Sequence, residues 1–312
     1  MNESFKVYVS CMTYNQSAYI KDALDGFCMQ QTSFPYVCGI IDDASTDGEQ
    51  EVIRDYLDKH FDLSDSAVVK RDETDDFFRI IARHKDNKNC FFVVVFLKYN
   101  HYSINKDKIP YVAEWRNKAK YIALCEGDDY WIAPFKLQKQ VEFMDTHEEH
   151  SLCFCAHAEL LPSGEQLVIK RYDTDWELCP MKDIIDGGGG YMATNSMLYR
   201  QSLYKPYQTW AVGCPIGDLP MMLSLANTGK VGFLSEVMCV HRQMAMGSWT
   251  SVMASSIKLR RRHHKAIIRM WKQFDCWSGR KYHPLVSKKI RVNQINHIKN
   301  ELVAIRFFVF KR

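Results

Sequence analysis

The segment Glu126-Gly127-Asp128-Asp129 sets three carboxylates within four residues. Like charges at that spacing repel, and a hard divalent cation with oxygen ligands offsets the repulsion. Mg²⁺ or Mn²⁺ takes one or two protein carboxylates and keeps its other positions for water and substrate phosphates. The plainer alternative is an exposed acidic turn. Against it, Tyr130 and Trp131 follow directly, and large aromatics beside the acids read as the wall of a pocket. Two further polar clusters, Thr13-Tyr14-Asn15 and Asp42-Asp43, complete the set of residues whose types suit binding of a charged ligand.

The elements around these clusters explain their placement. Residues 6–12, 36–41, 90–97 and 121–125 read as buried strands, and residues 17–30, 49–60 and 134–145 as helices with apolar positions at helical spacing. Buried strands alternating with helices imply right-handed βαβ units and a mostly parallel, Rossmann-like α/β sheet. Ligands of such sheets bind outside the carboxyl ends of the strands, and all three polar clusters fall there. Residues 152–158 and 196–200 read as further strands. A helix over 218–227 starts at Asp218 with Pro220 in its first turn. Gly187 to Gly190 form either a flexible connection or a backbone segment that approaches a ligand closely. Cys11 to Gln16 contains no glycine, which argues against a dinucleotide or P-loop site. A diphosphate would then be held by metal and side chains.

Composition bounds the rest. The 312 residues are 46% hydrophobic and 25% charged, as in an ordinary globular chain with a sizeable core. Residues 1–6 lack a basic region followed by an apolar run, so no secretory signal is expected. The longest apolar run, Cys90–Leu97, is too short to span a bilayer. Eleven scattered cysteines without a Cys-x-x-Cys pair argue against a zinc site or disulfide framework and suit a reducing cytoplasm. Residues 256–312 carry 16 Lys/Arg against two acids, which leaves the remainder net negative. We therefore divide the chain into a body, residues 1–250, and a basic helical extension, residues 251–312, whose two amphipathic helices are expected over 255–274 and 286–310. Such an extension asks for an anionic partner, with the inner face of a plasma membrane ahead of nucleic acid. Plain packing of the helix pair on the body is the other reading.

Three stretches carry a family resemblance: Val9-Ser10-Cys11-Met12-Thr13-Tyr14-Asn15-Gln16, Ile41-Asp42-Asp43-Ala44-Ser45-Thr46-Asp47-Gly48, and Tyr121-Ile122-Ala123-Leu124-Cys125-Glu126-Gly127-Asp128-Asp129-Tyr130-Trp131. In order and spacing they resemble glycosyltransferase family 2, inverting enzymes of GT-A fold, in the version that builds bacterial surface polysaccharides. The resemblance implies a metal-dependent transferase, using Mn²⁺ or Mg²⁺, that moves a sugar from a nucleotide-sugar donor, a UDP-sugar foremost, to a hydroxyl of a glycan or lipid-linked acceptor. It implies base and ribose contacts from Thr13, Tyr14, Asn15, Asp42 and Asp43, sugar and metal contacts from Asp128 and Asp129, and a donor-side wall at Trp131. Asp218 matches the catalytic base, or is a helix cap. Val240-His241-Arg242-Gln243-Met244 resembles a segment that meets metal or diphosphate, with His241 in the place of a tyrosine and Met244 where a histidine often stands. Trp249 resembles a lid over the donor, or packs in the core. A non-catalytic sugar-nucleotide or anionic-surface binding protein on the same fold is the competing function; a glycoside hydrolase would need neither nucleotide nor metal.

Overall fold

The computed structural model describes residues 5–64, 70–175, 177–246, 253 and 256–309. In chain order the elements are β1 (Val7–Thr13), α1 (Ile20–Cys28), β2 (Tyr36–Asp42), α2 (Glu49–His60), β3 (Lys70–Glu73), β4 (Phe77–Arg83), β5 (Cys90–Leu97), α3 (Ala113–Arg116), β6 (Tyr121–Leu124), β7 (Tyr130–Trp131), α4 (Lys136–Thr146), β8 (His150–Leu160), β9 (Gln166–Ile169), β10 (Glu177–Leu178), α5 (Met181–Gly187), β11 (Met197–Arg200), α6 (Asp218–Thr228), β12 (Lys230–Arg242), α7 (Ile257–Trp277) and α8 (His283–Val309).

One mixed sheet runs β10-β12-β8-β11-β6-β1-β2-β5-β4-β3. Its centre, β6-β1-β2-β5, is parallel, as the buried apolar runs require: all eight residues of β5 are buried, so helices or loops must cover both faces. Val7, Val9 and Cys11 face one layer with α1, α2 and α4, while Tyr8 faces the other with α6 and α7. The chain leaves β1 toward β2 on one side and reaches β6 on the other. The β1/β6 boundary is thus the topological switch point, where such sheets open a crevice.

The second half departs from the parallel pattern. β11 is antiparallel to both β6 and β8, and the 13-residue β12 runs parallel to β8. No strand was expected at 230–242, because register shifts between Leu234 and Val237 and between Val237 and Cys239 break the alternation that marks a strand. The edge hairpin β3–β4 also escaped, since its outer strand is the polar Lys-Arg-Asp-Glu. The basic helices are docked, not free: Ala266, Met270, Trp271 and Phe274 of α7 and Val286 of α8 are buried, most of them in the same core layer as Leu219 and Phe233. Among the described residues no helix is long and apolar enough to cross a membrane.

Candidate functional site

At the end of β1 the chain turns sharply, and Asn15 takes a left-handed conformation (φ 54°). Ala44, after β2, does the same (φ 60°). Non-glycine residues in that region are uncommon and gather at functional turns. Here the two turns hold each other: the Asn15 N–H donates to Ser45 Oγ (2.9 Å) and the Thr46 N–H donates to Asn15 Oδ1 (2.8 Å). Beneath them lies Glu49, fully buried at the first position of α2. It accepts from the Thr13 hydroxyl, from the Gln16 N–H (2.9 Å) and from the Ser45 hydroxyl (2.8 Å). Burial raises its pKa, and those donors oppose the rise. Sequence reasoning took Glu49 only as a helix start; its signal was an acid just after a Ser-Thr-Asp-Gly turn.

Asp42 is buried at the end of β2, and burial raises its pKa. Its Oδ1 accepts from the Ser45 N–H (3.0 Å) and Gln50 Nε2 (2.5 Å), while its Oδ2 is buried without a hydrogen-bond partner. Asp43 has both oxygens engaged: Oδ1 by the His101 N–H (2.7 Å), Oδ2 by the Tyr102 N–H (3.1 Å) and Lys108 Nζ (2.7 Å). Its first task is to fasten the loop after β5, although a carboxylate has room for a further donor. Tyr14 is exposed on the rim. A cavity of about 590 Å³ lies beyond this rim, between α2 and the ends of β4 and β5. Ser45 and Thr46 line it, but neither Asp128 nor Asp218 does, so it is not where the acids converge.

Across the β1/β6 boundary the Gly127 N–H donates to the Met12 carbonyl (3.3 Å). A Cβ at Gly127 would sit 2.2 Å from Thr13 Oγ1 and 2.5 Å from Gln16 Oε1, so only glycine lets the acidic loop lie against β1. Asp129 is buried, and its Oδ1 accepts the Arg242 N–H (2.8 Å). Arg242 Nη1 donates to the Asp128 carbonyl (2.6 Å), and Nη2 pairs with Asp22 of α1. The guanidinium lies over the rings of Tyr130 (4.5 Å) and Tyr19 (5.1 Å). Arg242 therefore clamps the acidic loop, α1 and the end of β12 together. Asp22 was not foreseen; nothing local in the sequence joins it to a residue 220 positions away. Trp131 does not wall the cleft. It is 1% exposed, donates its indole N–H to the Asn195 carbonyl (2.9 Å) and packs against Phe27. Strand alternation sends it into the core and leaves Tyr130 to the cleft side.

Asp218, the first residue of α6, approaches from the second half of the sheet. The residue at the cap position is Gly217, and no side chain caps the helix. A Cβ on Gly189 would stand 3.5 Å from Asp218 Oδ2, so the glycine run leaves space beside this carboxylate. Burial raises the Asp218 pKa; backbone N–H groups of Leu219 and Asp218 and the nearby His241 oppose it. Glu126 is pushed up to about 7 by the surrounding protein, then by the charges of Asp128 and Asp218. Its side chain is nonetheless exposed to solvent, which weakens the part of the rise that comes from burial. Burial also raises Asp128 and Asp129, and Asp128 pushes Asp129 further. His241 is lowered by burial against the pull of Asp128, Glu159 and Asp218. Glu126, Asp128, Asp218 and His241 thus share one electrostatic neighbourhood, and no Lys or Arg ion pair among the described residues neutralises its three acids. Trp249 lies outside the described residues.

A family model, Glycosyl transferase family 2, matches residues 9–90, the stretch that holds Thr13, Asn15, Asp42, Asp43 and Glu49. Over that stretch the chain resembles this family. Among curated relatives, the chain is similar to the uncharacterized proteins Mb1547 of Mycobacterium bovis and Rv1520 of Mycobacterium tuberculosis, each 31% identical over 246 residues, or 77% of this chain. The chain spans 59% of the length of those relatives. Among solved structures, S. aureus TarS 1-349 in complex with UDP-GlcNAc is similar at a TM-score of 0.56 and 14% identity, over 86% of this chain and 66% of that one. TarS 1-349 without that ligand is similar at 0.54 and 11%, over 93% and 89%. The chain accordingly has the GT-A fold, a mixed α/β sheet with flanking helices.

Proposed function

We propose that the protein is an inverting glycosyltransferase that moves a sugar from a nucleotide-sugar donor, a UDP-sugar foremost, to a hydroxyl of a glycan or lipid-linked acceptor in surface-polysaccharide synthesis. One observation carries the reading: the acidic loop after β6 and Asp218 at the start of α6 come from opposite halves of the sheet to one neighbourhood at the switch point. The nucleoside would lie over Thr13, Tyr14 and Asn15, with Asp42 and Asp43 at the base. Asp42 Oδ2 is the acceptor that lacks a partner, and buried acceptors of that kind ask for one. That the similar TarS structure holds UDP-GlcNAc supports a donor of this class.

The residues also fit a divalent cation. Asp128 and one oxygen of Asp129 offer hard oxygen donors, and the charge of Asp128 acts on His241, whose pKa burial lowers. Among the described residues no group of three or more His, Cys, Asp or Glu side chains is placed to hold a metal ion, so Asp128, Asp129 and His241 do not form a three-ligand set. That suits Mn²⁺ or Mg²⁺, which take much of their shell from diphosphate and water. When bound, the ion offsets negative charge on the leaving nucleoside diphosphate.

In this reading Asp218 takes the proton of the acceptor hydroxyl as its oxygen bonds to the anomeric carbon, and the bond from that carbon to the diphosphate oxygen breaks. The raised pKa of a half-buried carboxylate strengthens it as a base. Arg242 keeps Asp128 and Asp129 in register with β1. The acceptor would lie beside Asp218, where Gly189 carries no side chain. The test is release of nucleoside diphosphate from a panel of UDP-, GDP- and dTDP-sugars with a polysaccharide-lipid extract as acceptor. Release that needs both acceptor and Asp218 is expected; nucleotide binding without any turnover, unchanged by Asp218→Asn, would favour the non-catalytic reading.

A further inference from the structure

The outward side of the α7–α8 hairpin belongs to neither the donor nor the acceptor site. On α7 the residues Lys258, Arg262, Lys265, Arg269 and Lys272 follow at intervals of four, three, four and three, and all are exposed. That spacing puts them on one face. The opposite face, Ala266, Met270, Trp271 and Phe274, is buried against the body. The cationic stripe is therefore presented to solvent by packing, not merely by composition. A depression of about 520 Å³, lined by Ile257, Lys258, Arg261, Arg262 and Lys265, lies at its amino-terminal end.

Helix α8 returns alongside. His264 and His297 stack with ring centroids 4.0 Å apart, and since the helices run antiparallel from the turn at 278–282, this contact sets Val292, Ile295 and Ile298 level with the Arg262–Arg269 stretch. Those three aliphatic residues are 40%, 52% and 58% exposed. Lys288, Arg291 and Lys299 are exposed around them, and no acid occurs between His283 and Asn300. A row of exposed aliphatic side chains amid lysine and arginine suits an interface that is both apolar and anionic. Nucleic acid fits less well: single strands are bound by stacking on aromatics, and here Trp271 and Phe274 are fully buried while Trp277 stacks on Trp210.

We propose that this face of the α7–α8 hairpin docks the protein on an anionic lipid bilayer, with Val292, Ile295 and Ile298 entering the headgroup boundary and the α7 stripe facing lipid phosphates. Apolar burial and attraction to anionic lipid add in such helices. Each lysine or arginine near the surface strengthens partitioning about fivefold.

The test is flotation of the full chain with vesicles of phosphatidylcholine alone or mixed with phosphatidylglycerol. Binding is expected only to the mixed vesicles, with release at about 0.5 M NaCl, where the screening length falls to roughly 4 Å. The double variant Arg262→Ala/Lys265→Ala should partition about 25-fold more weakly, and Ile295→Ser/Ile298→Ser on the order of tenfold more weakly. All four residues are on the surface, so both variants should melt like the parent. Equal binding to neutral vesicles, absence of binding to anionic ones, or wild-type partitioning by either variant would overturn the proposal. Binding of an oligonucleotide in place of vesicles would do the same and reassign the face to nucleic acid. None of these outcomes bears on the donor site, whose residues lie elsewhere.

Discussion

At the ends of β1 and β2, Glu49 and Asp43 are each held by several donors, whereas at the junction of β6 and α6 no Lys or Arg ion pair among the described residues meets Glu126, Asp128 or Asp218. Glu49 accepts from three groups, and Asp43 is held by two backbone N–H groups and Lys108. Glu126, Asp128 and Asp218 sit close enough to raise one another or be raised by burial, and no Lys or Arg ion pair among the described residues relieves them. Charge that is satisfied internally builds a rigid rim. Charge left unsatisfied is held in readiness for a ligand, at the expense of stability. In the proposed reading the first set serves construction and the second chemistry.

The largest effect should follow from the second set. Asp218→Asn is expected to lower kcat by roughly two to four orders of magnitude while nucleotide affinity, read by calorimetry, stays near wild type. Asp43→Asn should show the reverse pattern, with a raised KM for donor and a smaller change in kcat, because it loosens the loop after β5. If the two variants behaved alike, the division between rim and reacting acids would fail.

Under the proposed cation-binding role of Asp128 and Asp129, Arg242→Lys should reduce kcat/KM by about 10–100-fold, the usual loss when a supporting contact of a metal site is removed. Lysine cannot bridge Asp22 and the Asp128 carbonyl as the guanidinium does. Donor titrations with and without added Mn²⁺ would show whether the loss resides in cation-dependent binding.

Two glycine substitutions sharpen the comparison through stability. Gly127→Ala forces a Cβ against Thr13, which Glu49 pins, and should destabilise by about 1–3 kcal/mol. Gly190→Ala meets nothing within 4 Å and should stay within about 0.5 kcal/mol. Urea denaturation of both variants decides the point.

A further effect is in the pH dependence. His157, buried on β8, has its pKa lowered to about 4, first by burial and then by His241 and Arg171. Between about pH 6.5 and 4 the unfolded chain binds a proton there that the native chain refuses, so native stability falls as pH drops through that window. The slope from one such group is at most about 1.4 kcal/mol per pH unit. His157→Gln should flatten the acid limb of a melting-temperature profile by up to that amount.

Much of this was legible in advance. The strands β1, β2, β5 and β6 announce themselves as apolar runs ending in polar clusters, and the clusters fall on the rim where a parallel sheet binds ligands. The antiparallel half was harder, since bulges in β12 and the polar strand β3 erase the alternation by which strands are recognised. Trp131 misled because its neighbours are polar, while its own strand position turns it inward. Glu49 and Asp22 were missed because their partners lie 33 and 220 residues away in sequence, and only the fold brings them together. The glycine run proved to border Asp218, but that too depends on how α5 and α6 meet.

The most direct measurement is calorimetric titration of the full chain with UDP, GDP and dTDP, each with and without Mn²⁺, alongside Asp128→Ala. Tight binding of one nucleotide that requires the cation and is lost in the variant is the expected result. Failure of every nucleotide to bind under all conditions would contradict the assignment of the switch-point cleft as a nucleotide-sugar site.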